Sequence, residues 1–163
     1  MGLPLRDSRY HTYSDYLSWP EDIRYELIDG SAYLMAPPAP ALDHQEIAGE
    51  IYRQLANALL GTPCRAFIAP VDVRLPKSYE PDDRIDTVVQ PDVLVVCDSS
   101  KLDRRGVCGA PDFVVEVLSP ATCNSTVAVT RSGPIVNRSS TRILFCEALA
   151  PPRRRYDPQP SHP

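Results

Sequence analysis

Two short apolar runs, "VVQPDVLVV" at 88–96 and "PDFVVEVL" at 111–118, restrict this chain more than anything else in it. Valine-rich stretches with little alternation suit central strands that are covered on both faces. Yet each run carries an acid, Asp92 in the first and Glu116 in the second. An ionised carboxylate buried without a partner is costly, or it shifts its pKa and takes up a proton. Two such groups on adjacent strands also repel each other. A divalent cation reverses that sign, because hard ions such as Mg²⁺ take one or two carboxylates together with water and substrate phosphate. The plainer alternative stays open: Asp92 caps a strand edge and Glu116 pairs with an arginine. Asp112, directly after Pro111, reads as a turn residue at a strand start.

The surrounding pattern supplies a frame for those strands. "HTYSDYLSW" predicts a short helix with Thr12 or Ser14 as its cap and Pro20 soon after its end. In "RYELIDGSAYLMA" two alternating runs flank Asp29-Gly30, a dipeptide that favours a two-residue hairpin turn. "DHQEIAGEIYRQLANALLG" is the best helix in the sequence, with Ile47, Ile51, Leu55 and Leu59 forming one apolar stripe. Asp43 and Glu46 read as its capping box, and Gly61 with Pro63 as its stop. "CRAFIAPVDVRLP" predicts a strand interrupted near Pro70. The order of elements indicates an α/β or α+β fold, with a helix packed against a mixed sheet.

Charge and composition exclude several classes. Residues 1–122 carry a balance of −8 and residues 123–163 a balance of +4. An acidic body argues against a broad, nonspecific grip on phosphate backbones, but not against a nuclease whose metal ions offset the local charge. No apolar run approaches the ~20 residues that cross a bilayer, and the N-terminus lacks the layout of a signal peptide. In the Met-Gly start, Arg6 occupies the Ser/Thr position of a myristoylation motif, so lipidation is not expected. Five scattered cysteines without a CxxC pair suggest reduced thiols and a cytoplasmic setting. With 163 residues, one domain is expected.

The stretches "RYELIDGSAYLMAPP", "DHQEIAGEIYRQLANAL", "FIAPVDVRLP" and "VVQPDVLVVCDSSKLDRRGVCGAPDFVVEVLSPAT" together resemble the Uma2 family of bacterial endonucleases, from about residue 10 to 122. The resemblance implies a restriction-endonuclease-like fold of the PD-(D/E)xK class and a metal-dependent phosphodiesterase acting on DNA. It implies Asp92 and Glu116 as ligands of Mg²⁺ or Mn²⁺, and Glu26 of "YELIDG" as an additional catalytic acid. His44 and Gln45 match the polar start of the family's helix, without an assigned role. On the residues alone they read as solvated first-turn positions. A homodimer is a further expectation, since nucleases that cut both strands often pair.

The chain departs from that family in one respect. The position two after Glu116 is Leu118, so the usual E-x-K spacing fails, and the only lysines, Lys77 and Lys101, precede Glu116 in segments that read as loops. The expected organisation is an incomplete nuclease domain over 1–122, lacking its C-terminal helix and strand. An irregular arginine- and proline-rich tail over 123–163 follows, its Arg153–Arg155 run read as solvated. A shifted or truncated reading frame close to Thr122 would explain the change. Such a loss would leave Val114, Val115 and Val117 uncovered on one face and residues 112–118 as an exposed edge. The alternative function is an inactive module of the same fold that binds nucleic acid or protein without cutting.

Overall fold

The computed structural model describes residues 6–7, 9–20, 24–35, 42–118 and 141–146. Its chain begins with β1 (Arg6–Asp7), α1 (Tyr13–Tyr16), β2 (Tyr25–Ile28), β3 (Ser31–Leu34) and the long helix α2 (Leu42–Ala58). β4 (Arg65–Ile68), β5 (Val73–Arg74), β6 (Val88–Val89) and β7 (Val93–Val96) follow. Last come β8 (Leu102–Asp103), β9 (Gly106–Cys108), β10 (Phe113–Leu118) and β11 (Thr141–Cys146). The strands form two sheets, ordered β1-β3-β2-β6-β5-β9-β8 and β11-β10-β7-β4. Both mix parallel and antiparallel pairs, so the α/β expectation holds. Among the described residues no helix is long and apolar enough to cross a membrane.

The Asp29-Gly30 turn forms as expected, with positive φ at both residues (47° and 76°), a geometry Gly adopts freely and Asp tolerates. It joins β2 to β3 in register from Tyr25↔Leu34 to Ile28↔Ser31. Thr12 caps α1, its amide donating to the Asp15 carboxylate at 2.8 Å. The helix expected from Asp43 starts one residue earlier, at Leu42, so Asp43 lies within the first turn, where its negative charge favours the exposed N–H groups.

Residues 65–74 and 88–96 run side by side, in opposite directions, through both sheets. β4 pairs with β7 from Arg65↔Val96 to Ile68↔Val93, and β5 with β6 from Val73↔Val89 to Arg74↔Val88. Between these ladders one segment spends four residues and the other three, so the register slips by one. A proline stands at each break, Pro70 after a cis peptide bond and Pro91 opposite it. Neither can donate to a ladder. "VVQPDVLVV", read from the sequence as one strand, is therefore two strands in two sheets, joined by Gln90, Pro91 and Asp92.

Alternation along β7 and β10 sends side chains to two different cores. Val93, Val115 and Val117 pack beneath α2 against Ile47, Ile51 and Leu55, the stripe visible in the sequence. Leu94, Val96 and Val114 face the other way, onto Val73, Val89 and Val107 of β5, β6 and β9. Burying each such side chain contributes on the order of 1.5–3 kcal/mol. Val114, Val115 and Val117 are at most 5% exposed, which corrects the expectation of an uncovered face. The exposed-edge expectation fails as well: β11 lies parallel to β10 over its full length, from Phe113↔Thr141 to Leu118↔Cys146. A strand is thus present in the tail, whereas residues 119–140 and 147–163 lie outside the described residues. Cys64 and Cys97, at the open end of the β4–β7 ladder, are joined as a disulfide, against the expectation of reduced thiols.

One buried cation ties the wider sheet together. Arg74, 1% exposed, lies over the Tyr13 ring and donates to both oxygens of Asp82 at 2.7 Å and to Asp103 at 2.6 Å. Asp82 belongs to a 3₁₀ turn (Asp82–Arg84) and Asp103 to β8, so three separate segments share this guanidinium.

Candidate active site

Asp92 occupies the break where the chain leaves β6 for β7. Its carbonyl accepts from the Ala69 amide at 2.9 Å, extending the β4–β7 ladder by one residue. The β7–β10 ladder ends at Val93↔Val115, and Asp92 and Glu116 are the next residues on the two segments, one step past the last pair. The Asp92 carboxylate crosses that step: Oδ2 accepts from the Val117 amide at 2.8 Å. His44 Nε2 of α2 lies 3.3 Å from the same oxygen. The two side chains are 22% and 20% exposed, open enough for an ion or substrate to reach and partly desolvated. Asp92 Oδ1 takes no hydrogen bond among the described residues.

Glu26 of β2 enters the same break from the other sheet. Its Oε1 accepts from the Gln90 amide at 3.1 Å, two residues before Asp92. Each acid thus holds a main-chain N–H that the interrupted ladders leave over. The capping reading of Asp92 is true of one of its oxygens. Glu116 is half-buried, and alternation from Val114 puts it on the sheet face opposite α2. Among the described residues no three His, Cys, Asp or Glu side chains gather closely enough to hold a metal, so neither Glu26 nor His44 forms a three-ligand cluster with Asp92 and Glu116. Asp112 behaves as a turn residue, its Oδ2 accepting from the Cys97 amide at 2.8 Å.

Sequence reasoning missed two features of this region. His44, read as a solvated first-turn residue, reaches Asp92 instead. The signal was present, since His44 stands three and four residues before Ile47 and Ala48 and so shares the buried stripe of α2. Gln45, one position on, is exposed. The second feature is a polar network around Gln90, whose Nε2 donates to Tyr16 Oη at 3.1 Å and Asp72 Oδ1 at 2.7 Å, while Arg24 Nε donates to its Oε1 at 2.9 Å. Tyr16 also donates to Asp72 at 2.9 Å. Burial, reinforced by the Asp72 charge, pushes the Tyr16 hydroxyl well above its ordinary pKa, so it remains a donor.

Neither lysine is engaged at this break. Lys77 pairs with Asp86 at 2.7 Å and Asp29 at 2.9 Å, and hydrogen bonds from its ammonium to those carboxylates raise its pKa. Lys101 donates to the Ala110 carbonyl at 2.9 Å.

Comparison with known proteins agrees with this architecture. The family model for Uma2, described as a putative restriction endonuclease, matches residues 13–128, six residues past the point where the resemblance was expected to stop. Among solved structures, a putative nuclease belonging to DUF820 from Anabaena variabilis is similar, with 23% identity and a TM-score of 0.60. The alignment covers 83% of this chain and 73% of that one. No curated protein matches the chain. The fold is the restriction-endonuclease-like one, and the chain belongs to the Uma2 family of putative restriction endonucleases.

Proposed function

We propose that this nuclease-family chain is a divalent-metal-dependent endonuclease that hydrolyses phosphodiester bonds of DNA. The observation that carries the reading is that Asp92 and Glu116 directly follow the last pair of the β7–β10 ladder, with the Asp92 carboxylate bonded to the Val117 amide next to Glu116. The donors fit a hard cation: two carboxylates, one with an oxygen outside the hydrogen-bond network, leave further positions for water and phosphate. Asp92 and Glu116 would hold Mg²⁺ or Mn²⁺. Bound there, the ion would lower the pKa of a water and offset charge on the scissile phosphate. The Val117 amide and His44 hold Asp92 in one orientation, and Glu26 fixes the Gln90–Asp92 backbone through the Gln90 amide. Glu26 is the additional acid of this site.

The engagement of Lys77 with Asp29 and Asp86 and of Lys101 with Ala110 favours a second reading, a module that binds DNA without cutting it. A family lysine usually places positive charge where the transition state gains negative charge. Nicking of supercoiled plasmid in Mg²⁺ or Mn²⁺ separates the two. The first reading expects cleavage that EDTA abolishes and that Asp92→Asn and Glu116→Gln each reduce by about 10²-fold or more. Unchanged cleavage in both variants overturns it, and DNA binding by the parent chain without cleavage supports the second reading.

A further inference from the structure

A groove of about 480 Å³ opens between the β4–β5 passage and the β8–β9 hairpin. Three arginines line it: Arg65 at the start of β4, and Arg104 and Arg105 at the hairpin tip. All three are exposed. Arg105 is paired with Asp82 at 2.9 Å. Arg65 rests over the Phe67 ring at 5.2 Å, and neither it nor Arg104 has a carboxylate partner among the described residues. The two acids in the lining are already engaged: Asp72 accepts from Tyr16 and Gln90, and Asp103 from Arg74. The lining therefore carries three arginines against two aspartates, a balance of +1, within a body whose residues 1–122 carry −8. A concave cationic patch on such a chain focuses its field on an anion.

The groove is also preformed, and one end of it adjoins the break that carries Asp92. The β9 hairpin is held to its opposite wall by the Val107 amide, which donates to the Asp72 carbonyl at 2.9 Å. Pro70, next to Ala69, and Asp72, which accepts from Gln90, form the end of the groove that adjoins the break bearing Asp92. Arg65 lies four residues before Ala69, the hydrogen-bond partner of Asp92, or roughly 13 Å along the strand.

From this arrangement we infer that the groove seats the sugar–phosphate backbone of a DNA strand running toward Asp92 and Glu116. Arg65 and Arg104 contact phosphates on either wall. Guanidiniums suit this role because their planar fork matches phosphate oxygens. Phosphate contacts position a nucleic acid without reading its sequence. A strand is favoured over a mononucleotide because the arginines are spread over two walls. In addition, the two lining carboxylates that might read a base are committed to internal partners. The inference rests on the DNA substrate proposed above.

Fluorescence anisotropy with a short DNA duplex and its single strand, in EDTA and across a salt series, tests it. The variant is Arg65→Ala/Arg104→Ala. The control, Arg53→Ala/Arg84→Ala, removes equal charge from exposed positions outside the groove. The groove variant is expected to bind at least about tenfold more weakly and to lose about two from the slope of log K against log salt. The control is expected to retain its affinity within about twofold, a surface change with no phosphate contact to lose. Circular dichroism and the unfolding midpoint of both variants confirm that each is folded. Parent binding with equal affinity and slope in the groove variant overturns the groove while leaving the DNA reading intact. No binding by the parent chain overturns both. Displacement of bound DNA by micromolar adenosine monophosphate also overturns the groove, because it marks a mononucleotide pocket.

Discussion

The Asp92 carboxylate accepts the Val117 amide at 2.8 Å, and this bond fastens one candidate ligand to the strand that carries the other, Glu116. A side chain thereby completes a ladder that Pro91 interrupts. The structural bond uses Oδ2 and leaves Oδ1 over for the proposed ion, so substitutions of Asp92 separate by chemistry. Asparagine keeps an acceptor for the Val117 N–H and should cost about 1 kcal/mol. Alanine strands a buried donor and should cost about 1–3 kcal/mol. Denaturant titration of both variants checks the order. Equal losses would mean that the bond contributes nothing.

The Tyr10–Asp86–Lys77 cluster predicts the acid limb of stability. Burial alone would raise the Asp86 carboxyl, but hydrogen bonds from Lys77 and Tyr10 outweigh it and hold its pKa below the ordinary value. A depressed folded-state pKa gives stability that is present above the unfolded value, about 3.9. That stability is lost as pH falls from there through the folded value. Asp86→Asn should therefore flatten the midpoint-against-pH curve below about pH 4. A curve as steep as that of the parent would assign the acid limb to other carboxylates.

Arg74 is irreplaceable by lysine for geometric reasons. Its fork spans Asp82 and Asp103 while the guanidinium covers Tyr13, and a single ammonium cannot reproduce both contacts. Arg74→Lys should cost about 1–3 kcal/mol, the range for hydrogen bonds to charged groups that are lost on burial. Asp103→Asn, on a side chain 49% exposed, should cost under about 1 kcal/mol. Urea unfolding of the two variants tests the ranking, and a larger loss in Asp103→Asn would contradict it.

Gly106 has φ 116°, and a β-carbon there would overlap the Asp72 carbonyl oxygen. Because that carbonyl is backbone, no side chain can move aside. Gly106→Ala should destabilise by about 1–3 kcal/mol and loosen the hairpin that bears Arg104 and Arg105. Hydrogen exchange at the Val107 amide reports this directly, and parent-like protection would contradict it.

Much of this architecture was legible because local patterns and tertiary packing agree. The Asp29-Gly30 hairpin, the Ile47–Ile51–Leu55 stripe and the doubly covered valines each follow from a periodicity that their surroundings satisfy. The division of "VVQPDVLVV" between two sheets was not legible. Pro91 signals a break but does not say where each half finds its partner. The Cys64–Cys97 bond joins positions 33 residues apart, brought opposite only by the β4–β7 register. Burial of Arg74 was hidden for a similar reason, since its two carboxylates come from a 3₁₀ turn and from strand β8. At the site, Asp92 and Glu116 stood out by chemistry alone, whereas His44 needed its position on the α2 stripe to be weighed. The strand β11 escaped notice because "TRILFC" sits in a tail without helical or alternating period.

The most direct test of the central claim is thermal unfolding of the chain in EDTA, Mg²⁺ and Mn²⁺, beside Asp92→Asn and Glu116→Gln. An ion that binds only the folded state raises the midpoint with its concentration. The account predicts such a rise for the parent chain and its loss in both variants, each of which stays cooperatively folded in EDTA. A parent midpoint indifferent to either ion, or a rise that survives both substitutions, would contradict a metal centre at Asp92 and Glu116.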